Sequence, residues 1–429
     1  MIKKYKKSLL GIIKGFKLIF FLTIFTLYSL EILVTVFLNK EVNFTNTSYE
    51  ELKAKKIESI KNFDKRSDQQ AFLEESIKNN LVASFRYSRW HLDQSDYKGE
   101  INKLINNQIK NHKIIPFRGP INKKSLSSNE SGVRKIIYND KYGFKNFNSV
   151  YQKNIDIMLI GDSFAEGVPF DNFNDINARI NKLPNINSLN YGISGTGPIM
   201  ALAIVKEYAK HLKPKNVFYL FYEGNDLDDL MIEKKDPHLS KYLKEFHQNL
   251  YNSNNEIESF LHKYENLIPE IIQIKMSMKE EIKIPTNKKN NDQIKEIVKN
   301  FLELDSLKNI FFYSSVYSKY KTDYRLFNDV ILNMKKEVEN WGGNYHFVYL
   351  PSWLRYNNKI SIAGSLHKHK ILNIVEELGI PHIDIDQTFI EKELNNLESF
   401  NLGLYGHYTK RGYLAVADEI IKSFSDNQY

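Results

Sequence analysis

The chain has 429 residues, 42% hydrophobic and 13% aromatic, which suits one large domain with attachments and excludes a disordered composition. Its net charge is +9, but the lysines are scattered among asparagines and isoleucines, with no arginine-rich arm and no aromatic–basic platform, so nucleic acid is not an expected partner. There is no cysteine, which excludes disulfides, thiol catalysis and cysteine-based zinc sites and leaves the compartment open.

Residues 1–40 read as a basic tail and a membrane anchor. Lys3, Lys4, Lys6, Lys7, Lys14 and Lys17 precede an apolar run over residues 18–39 whose only charge is Glu31. A spanning helix needs about 20 such residues. Lysines ahead of it hold the N-terminus inside, so the rest of the chain is expected outside, in the periplasm, on a single-pass anchor in the inner membrane. No Ala-x-Ala site follows Phe37, which favours an uncleaved signal anchor over a cleaved signal peptide. Glu31 is read as interfacial, protonated or paired with another helix.

Residues 41–150 read as a charged helical stalk followed, from about residue 114, by an entry segment. There Pro116, Gly119, Pro120, Gly132 and Gly143 punctuate short apolar runs. Residues 151–429 then alternate strand and helix signals. Strands are predicted at 155–160, at "INSLNYG", at 216–224, at 344–352 and at 380–385. "PIMALAIVKEYAKHL" and "DVILNMKKEVENWGG" read as helices between them. That alternation predicts a parallel sheet with helices on both faces, its site beyond the C-terminal strand ends. Residues 227–308 are charged and helical by composition and read as an inserted cap.

Four pieces fall where such a site belongs. "GDSF" carries Ser163 after the first strand, "NYGISGTGP" follows the second, "YEGND" follows the third, and "GHYTKRGY" sets His407 ahead of a C-terminal helix. Each has a bland reading. Ser163 could cap a helix, residues 192–197 could be only a turn, Asn225-Asp226 could start a helix with Asp226, Asp228 and Asp229 at its positive end, and a lone histidine is usually structural. His367 and His369, in "LHKHK", read as a solvated loop, and no metal site is expected. A serine nucleophile needs a base in reach, and a histidine titrates near neutrality, so Ser163 and His407 suit acyl transfer chemically.

In order and loop placement the four pieces resemble the blocks of the SGNH/GDSL hydrolase superfamily, over roughly residues 156–424. The strings "NESG", "YGF" and "GHY" resemble membrane-anchored bacterial members of it. The resemblance implies a flavodoxin-like three-layer α/β/α sandwich and a cofactor-free serine esterase acting on O-acyl, often O-acetyl, bonds of a small molecule or glycan. It implies Ser163 as nucleophile, His407 as base, and an oxyanion hole from the Ser163 and Gly195 backbone N–H groups and the Asn225 amide. The family usually sets an aspartate two or three residues before the histidine, where this chain has Tyr405 and Leu404. His407 is therefore expected to work in a dyad, held by a backbone carbonyl, or to be oriented by Asp384, Asp386 or Glu398. The missing aspartate keeps two alternatives open: an O-acyltransferase modifying a cell-envelope glycan, with a donor route supplied by a partner, or a non-catalytic glycan-binding module of an envelope assembly.

Overall fold

The computed structural model describes residues 2–33, 46–87, 103–104, 107, 112–281, 298–299, 301–302, 304, 322–357, 362–404 and 406–426. The end of the apolar run at 34–39, Tyr405 and much of the insertion after residue 281 lie outside these.

Helix α1 (Ile2–Leu33) contains a stretch, Lys14–Leu33, with mean hydropathy 1.8 and 6% burial, long and apolar enough to cross a membrane. Its end meets residues 301–302, where the Tyr28 hydroxyl donates to the Leu302 carbonyl at 3.0 Å. Helices α2 (Asn46–Ser59) and α3 (Asp68–Asn79) follow. Two small antiparallel pairs follow: β1 (Phe85–Arg86), from the part read as stalk, with β2 (Arg118–Gly119) of the entry segment, and β3 (Lys124–Leu126) with β4 (Ile136–Tyr138).

The main domain begins with β5 (Ile157–Gly161), α4 (Ser163–Glu166), α5 (Ile176–Ile180), β6 (Ser188–Asn190) and α6 (Pro198–Ile204). It continues through β7 (Asn216–Tyr222), α7 (Asp226–Glu233) and the long α8 (Asn254–Glu281). It closes with α9 (Tyr324–Glu339), β8 (Asn344–Leu350), α10 (Trp353–Asn357), α11 (Ile362–Glu377), β9 (His382–Asp384), α12 (Ile385–Glu391) and α13 (Lys410–Asp426). All five predicted strands form, and they pair in parallel in the order β6-β5-β7-β8-β9. Read in chain order this is 2-1-3-4-5, the flavodoxin-like order, whose ligand crevice opens where the order reverses, beside the first strand.

The sheet is covered on both faces, and period-2 alternation sorts its side chains. Met158, Ile160, Val217, Tyr219, Phe221, Phe347 and Tyr349 enter one core with α6, α9 and α11. Ile157, Leu159, Phe218, Leu220, Tyr222, Val348 and Leu350 enter the other with Phe164, α5, α12 and α13. The aromatic and β-branched content of β7 suits this double burial, and truncating a residue such as Phe218 would cost about 3–5 kcal/mol. Helix α9 starts on Asp323, whose side chain accepts the Leu326 N–H at 3.0 Å, and ends on Gly342 at φ +83°. Gly342 adopts a left-handed conformation that other residues resist.

Two sequence expectations change here. His367 and His369 lie in α11, not in a loop; His367 is buried, with Nδ1 2.6 Å from the Tyr324 hydroxyl. His367, Ile371 and Val375 show why: they recur every four residues and are buried, a helical spacing that the lysines obscure. The segment after α7 packs into the first core rather than standing over it. Phe260 and Tyr264 of α8 sit edge-on to Phe85, at 5.1 and 4.9 Å between ring centres.

The open edge of the sheet is sealed by side chains. Asn181 accepts the Ser188 N–H at 2.8 Å and donates to the Ser188 carbonyl at 3.0 Å. Asn146 does the same to Asn190, at 2.8 and 2.9 Å. Two asparagine amides thus occupy the alternate positions of β6 that a sixth strand would pair, which protects the edge from other chains.

Candidate active site

Ser163 stands immediately beyond β5. Gly161 precedes it at φ +145°, and a Cβ there would lie 2.6 Å from the Leu220 carbonyl oxygen, so the turn out of the strand requires glycine. Ser163 does not cap the helix it opens. Asp162 does, accepting the Phe164 N–H at 2.8 Å. The Ser163 hydroxyl is left with a 3.4 Å contact to Asp162 Oδ2. Asp162 is 1% exposed, and burial pushes its carboxyl up to about 6, against bonds from Phe164 N–H, Asn225 and Ser163 and the charge of His407.

His407 reaches the same place from the far end of the chain. Its ring lies 4.8 Å from that of Phe164, the residue after Ser163. Its loop is fixed by Asn401, whose side chain donates to the His407 and Tyr408 carbonyls at 3.1 and 3.0 Å, and by Tyr408, whose hydroxyl donates to Pro351 O at 2.6 Å.

The carboxylate at His407 is one that sequence reasoning missed. Glu130 Oε2 lies 2.6 Å from His407 Nδ1, and Oε1 accepts the His407 backbone N–H. Burial pulls the imidazole's pKa down, but the charge and hydrogen bond of Glu130 outweigh it and hold it above the ordinary value. A carboxylate at Nδ1 accepts a hydrogen bond from the Nδ1–H, which fixes that tautomer and leaves Nε2 as the basic nitrogen. Glu130 sits in a turn between β3 and β4, where Gly132 N–H donates to Asn129 O at 2.8 Å with Gly132 at φ +93°. Asn129 in turn donates to Asp64 O at 2.8 Å. A Cβ on residue 406 would stand 2.2 Å from Glu130 Oε1, so Gly406 admits the carboxylate. The signal was in the text: "NESG" holds Glu130 and "GHY" holds Gly406, but nothing in either string shows that they meet.

Among the described residues, none of the three carboxylates expected near His407 bonds it. Asp384 caps α12 and pairs with Lys368 at 2.7 Å. Asp386 accepts from Tyr356 at 2.8 Å and pairs with Lys368 at 2.7 Å. Glu398 is exposed on a short turn. Each lies close to His407 in sequence, but the loop at 397–403 turns the histidine toward the entry segment instead.

The glycine-rich loop is docked on α4. A Cβ at Gly192 would lie 2.2 Å from the Glu166 backbone nitrogen. Ser194 N–H donates to Glu166 Oε2 at 2.9 Å, and Arg118, 2% exposed, bridges Glu166 at 2.8 Å and the Gly192 carbonyl at 3.0 Å. Burial pushes the Glu166 carboxyl up, but Arg118 and Arg86 outweigh it and hold it far below its usual range. Gly195 follows at φ +73°. Among the described residues, neither the Ser163 nor the Gly195 backbone N–H has a hydrogen-bond partner, so both donors are available. Asn225 heads α7, and its Nδ2 donates to Asp229 Oδ2 at 2.6 Å while the side chain also bonds Asp162, which fixes the amide between two carboxylates beside the Ser163 turn. Asp226 does not merely sit at a helix end. It is fully buried, accepting from the Tyr219 hydroxyl at 2.8 Å and the Tyr222 N–H at 3.1 Å. Among the described residues, no group of three His, Cys, Asp or Glu side chains is arranged to hold a metal ion.

The stalk touches this site as well. The Lys56 ammonium of α2 donates to the Leu402 carbonyl in the loop ahead of His407.

No family model and no curated protein sequence matches the chain. Solved structures with a similar fold include a member of the lipolytic protein G-D-S-L family from Veillonella parvula, 13% identical, covering 63% of this chain and 98% of that one at a TM-score of 0.31. Another is Axe2, an acetylxylan esterase from Geobacillus stearothermophilus, 11% identical, covering 63% and 96% at 0.34. A third is LAE5, an alpha/beta hydrolase enzyme from the metagenome of Lake Arreo, 10% identical, covering 63% and 95% at 0.35.

Proposed function

We propose that the chain is a membrane-anchored serine esterase of the SGNH/GDSL type, acting on O-acyl bonds, with an acetyl ester of a glycan or small molecule as the favoured substrate class. The observation that carries this is the Glu130–His407 pair at 2.6 Å, brought beside the Ser163 turn at the crevice end of the sheet. Ser163 Oγ attacks the ester carbonyl and its proton passes to His407 Nε2. The tetrahedral oxyanion is held by the Ser163 and Gly195 N–H groups and the Asn225 amide. The C–O bond to the alcohol then breaks and the alkoxide takes the proton from His407, leaving an acyl-enzyme. Water attacks it, gives its proton to His407, and the carboxylic acid departs as Ser163 Oγ is reprotonated. No cofactor enters these steps.

The glycan-binding reading was favoured by a missing carboxylate, and Glu130 weighs against it. The anchor reading rests on the helix Lys14–Leu33, and on α2, which twelve residues separate from α1 and which touches the loop ahead of His407. The catalytic domain is then periplasmic and close to the bilayer. The test is fluorophosphonate labelling and aryl-acetate turnover by the full-length protein, with Ser163→Ala alongside. Labelling and turnover lost in the variant support the reading; equal values in both reject it. Product analysis with a glycan acceptor present separates hydrolysis, which releases free acid, from acyl transfer, which gives acylated glycan.

A further inference from the structure

Both loops that carry the Glu130–His407 pair are held from outside by the stalk, over residues 53–68. On the histidine side, the Lys56 ammonium of α2 donates to the Leu402 carbonyl. Leu402 stands at φ +61°, a left-handed conformation that a leucine keeps only where its surroundings hold it. Gly403 beside it has φ +62°, and a Cβ there would lie 2.9 Å from Lys56 Nζ, so the bare backbone seats the ammonium. The same turn carries His407, because the Asn401 N–H and side chain both donate to the His407 carbonyl, at 2.9 and 3.1 Å. From the core side, Trp353 Nε1 donates to the Gly403 carbonyl at 3.2 Å, so the turn lies between stalk and core.

On the Glu130 side the grip runs through the backbone. Asp64 N–H donates to the Gly132 carbonyl at 2.7 Å, and the Asp64 carbonyl accepts from Asn129 Nδ2 at 2.8 Å. Glu130 lies between those two residues in the chain. Arg134, just past the turn, pairs with Asp68 at 2.7 Å and donates to the Arg66 carbonyl at 3.2 Å. Burial pushes the Glu130 carboxyl up, but the charge and hydrogen bonds of His407 outweigh it, Lys53 of α2 adds to them, and the carboxyl lies below its ordinary range. Helix α2 itself is lightly seated. Leu52, Lys53, Lys56 and Ile57 are half-buried and the residues between and after them exposed, so one narrow face meets the domain.

We propose that the stalk is a clasp on this pair: Lys56 and Asn129 are positioning residues that keep the His407 loop and the Glu130 turn in register, and unseating α2 parts them. The effect of the clasp on turnover rests on the esterase reading; its hold on the two loops does not.

The test compares Lys56→Met with Lys55→Met, since Lys55 is exposed on the same helix. In the full-length protein carrying Ser163→Ala, in detergent, hydrogen exchange over residues 399–408 should speed up about tenfold with Lys56→Met and stay unchanged with Lys55→Met. Asn129→Ala should do the same over residues 128–132. With Ser163 in place, Lys56→Met should lower kcat on an aryl acetate about tenfold with KM little changed, but less than about threefold where Glu130→Gln is already present. Full multiplication of the two losses overturns the clasp, as does exchange that Lys56→Met leaves unchanged or that Lys55→Met speeds equally. Faster exchange with no Ser163-dependent turnover in the wild type would uphold the clasp and reject the esterase reading.

Discussion

Glu130 Oε2 and His407 Nδ1 meet at 2.6 Å across 277 positions of sequence. The carboxylate comes from a hairpin that precedes the sheet, and the imidazole from the loop before the last helix. The pair works as a unit: one oxygen fixes the ring, the other fixes the backbone that carries it.

The first prediction concerns that unit. Glu130→Gln keeps the shape but removes the charge, and kcat/KM on an aryl acetate should fall by about a hundredfold to ten-thousandfold. The pH profile carries the sharper readout. His407 must be neutral to act as base, and Glu130 holds its pKa above the ordinary value. The rate of the wild type should therefore rise with pH through a midpoint above 6.5. In Glu130→Gln that midpoint should move to lower pH. A fall in rate with an unmoved midpoint would make Glu130 merely structural.

Asn225 gives the second. Its amide is held by Asp229 and Asp162, and on the proposed mechanism Asn225→Ala removes one donor to the oxyanion. The expected result is a loss of about a hundredfold to a thousandfold in kcat with KM little changed. A rise in KM at constant kcat would assign Asn225 to ground-state binding.

The three central strands, β5, β7 and β8, were legible because they are nearly pure apolar runs closed by Gly or Pro, and burial on both faces demands such runs. Ser163 and Asn225 were legible because they stand at fixed offsets from those ends. Glu130 was not, since it sits in the serine-, asparagine- and glycine-rich turn of a short hairpin and its role depends on a tertiary contact with a loop far along the chain. The same blindness sent the search for an orienting acid to Asp384, Asp386 and Glu398, which are neighbours of His407 along the chain and not in space. Arg118 was hidden for a related reason: an isolated arginine between Phe117 and Gly119 reads as surface until its carboxylate partner, Glu166, is brought beside it.

Asp162 supports a prediction about stability. Burial raises its folded-state pKa from 3.8 to about 6. A carboxyl raised on folding favours the folded state below its unfolded value, and that contribution is lost as pH climbs through the folded value. The window is therefore about pH 4 to 6. Thermal midpoints of the full-length protein in detergent should decline across this window, and Asp162→Asn, which mimics the neutral acid, should flatten the decline. An equally steep decline in the variant would show that Asp162 is ionised throughout.

The last prediction concerns the sealed edge. Asn181 supplies both partners for Ser188 on the open side of β6, at 2.8 and 3.0 Å, and Ser188 is fully buried. Asn181→Ala leaves a buried N–H and a buried carbonyl unpaired, a cost of about 2 kcal/mol or more. In a domain of this size that lowers the thermal midpoint by roughly 4–8 °C. It also uncovers strand hydrogen-bonding groups that another chain can use, so light scattering on heating should begin earlier and depend on concentration. Asn395→Ala is the control, because Asn395 is exposed and distant from β6 in the chain. If both variants melt and scatter alike, the Asn181 amide does not protect the edge and the sheet relies on its cores alone.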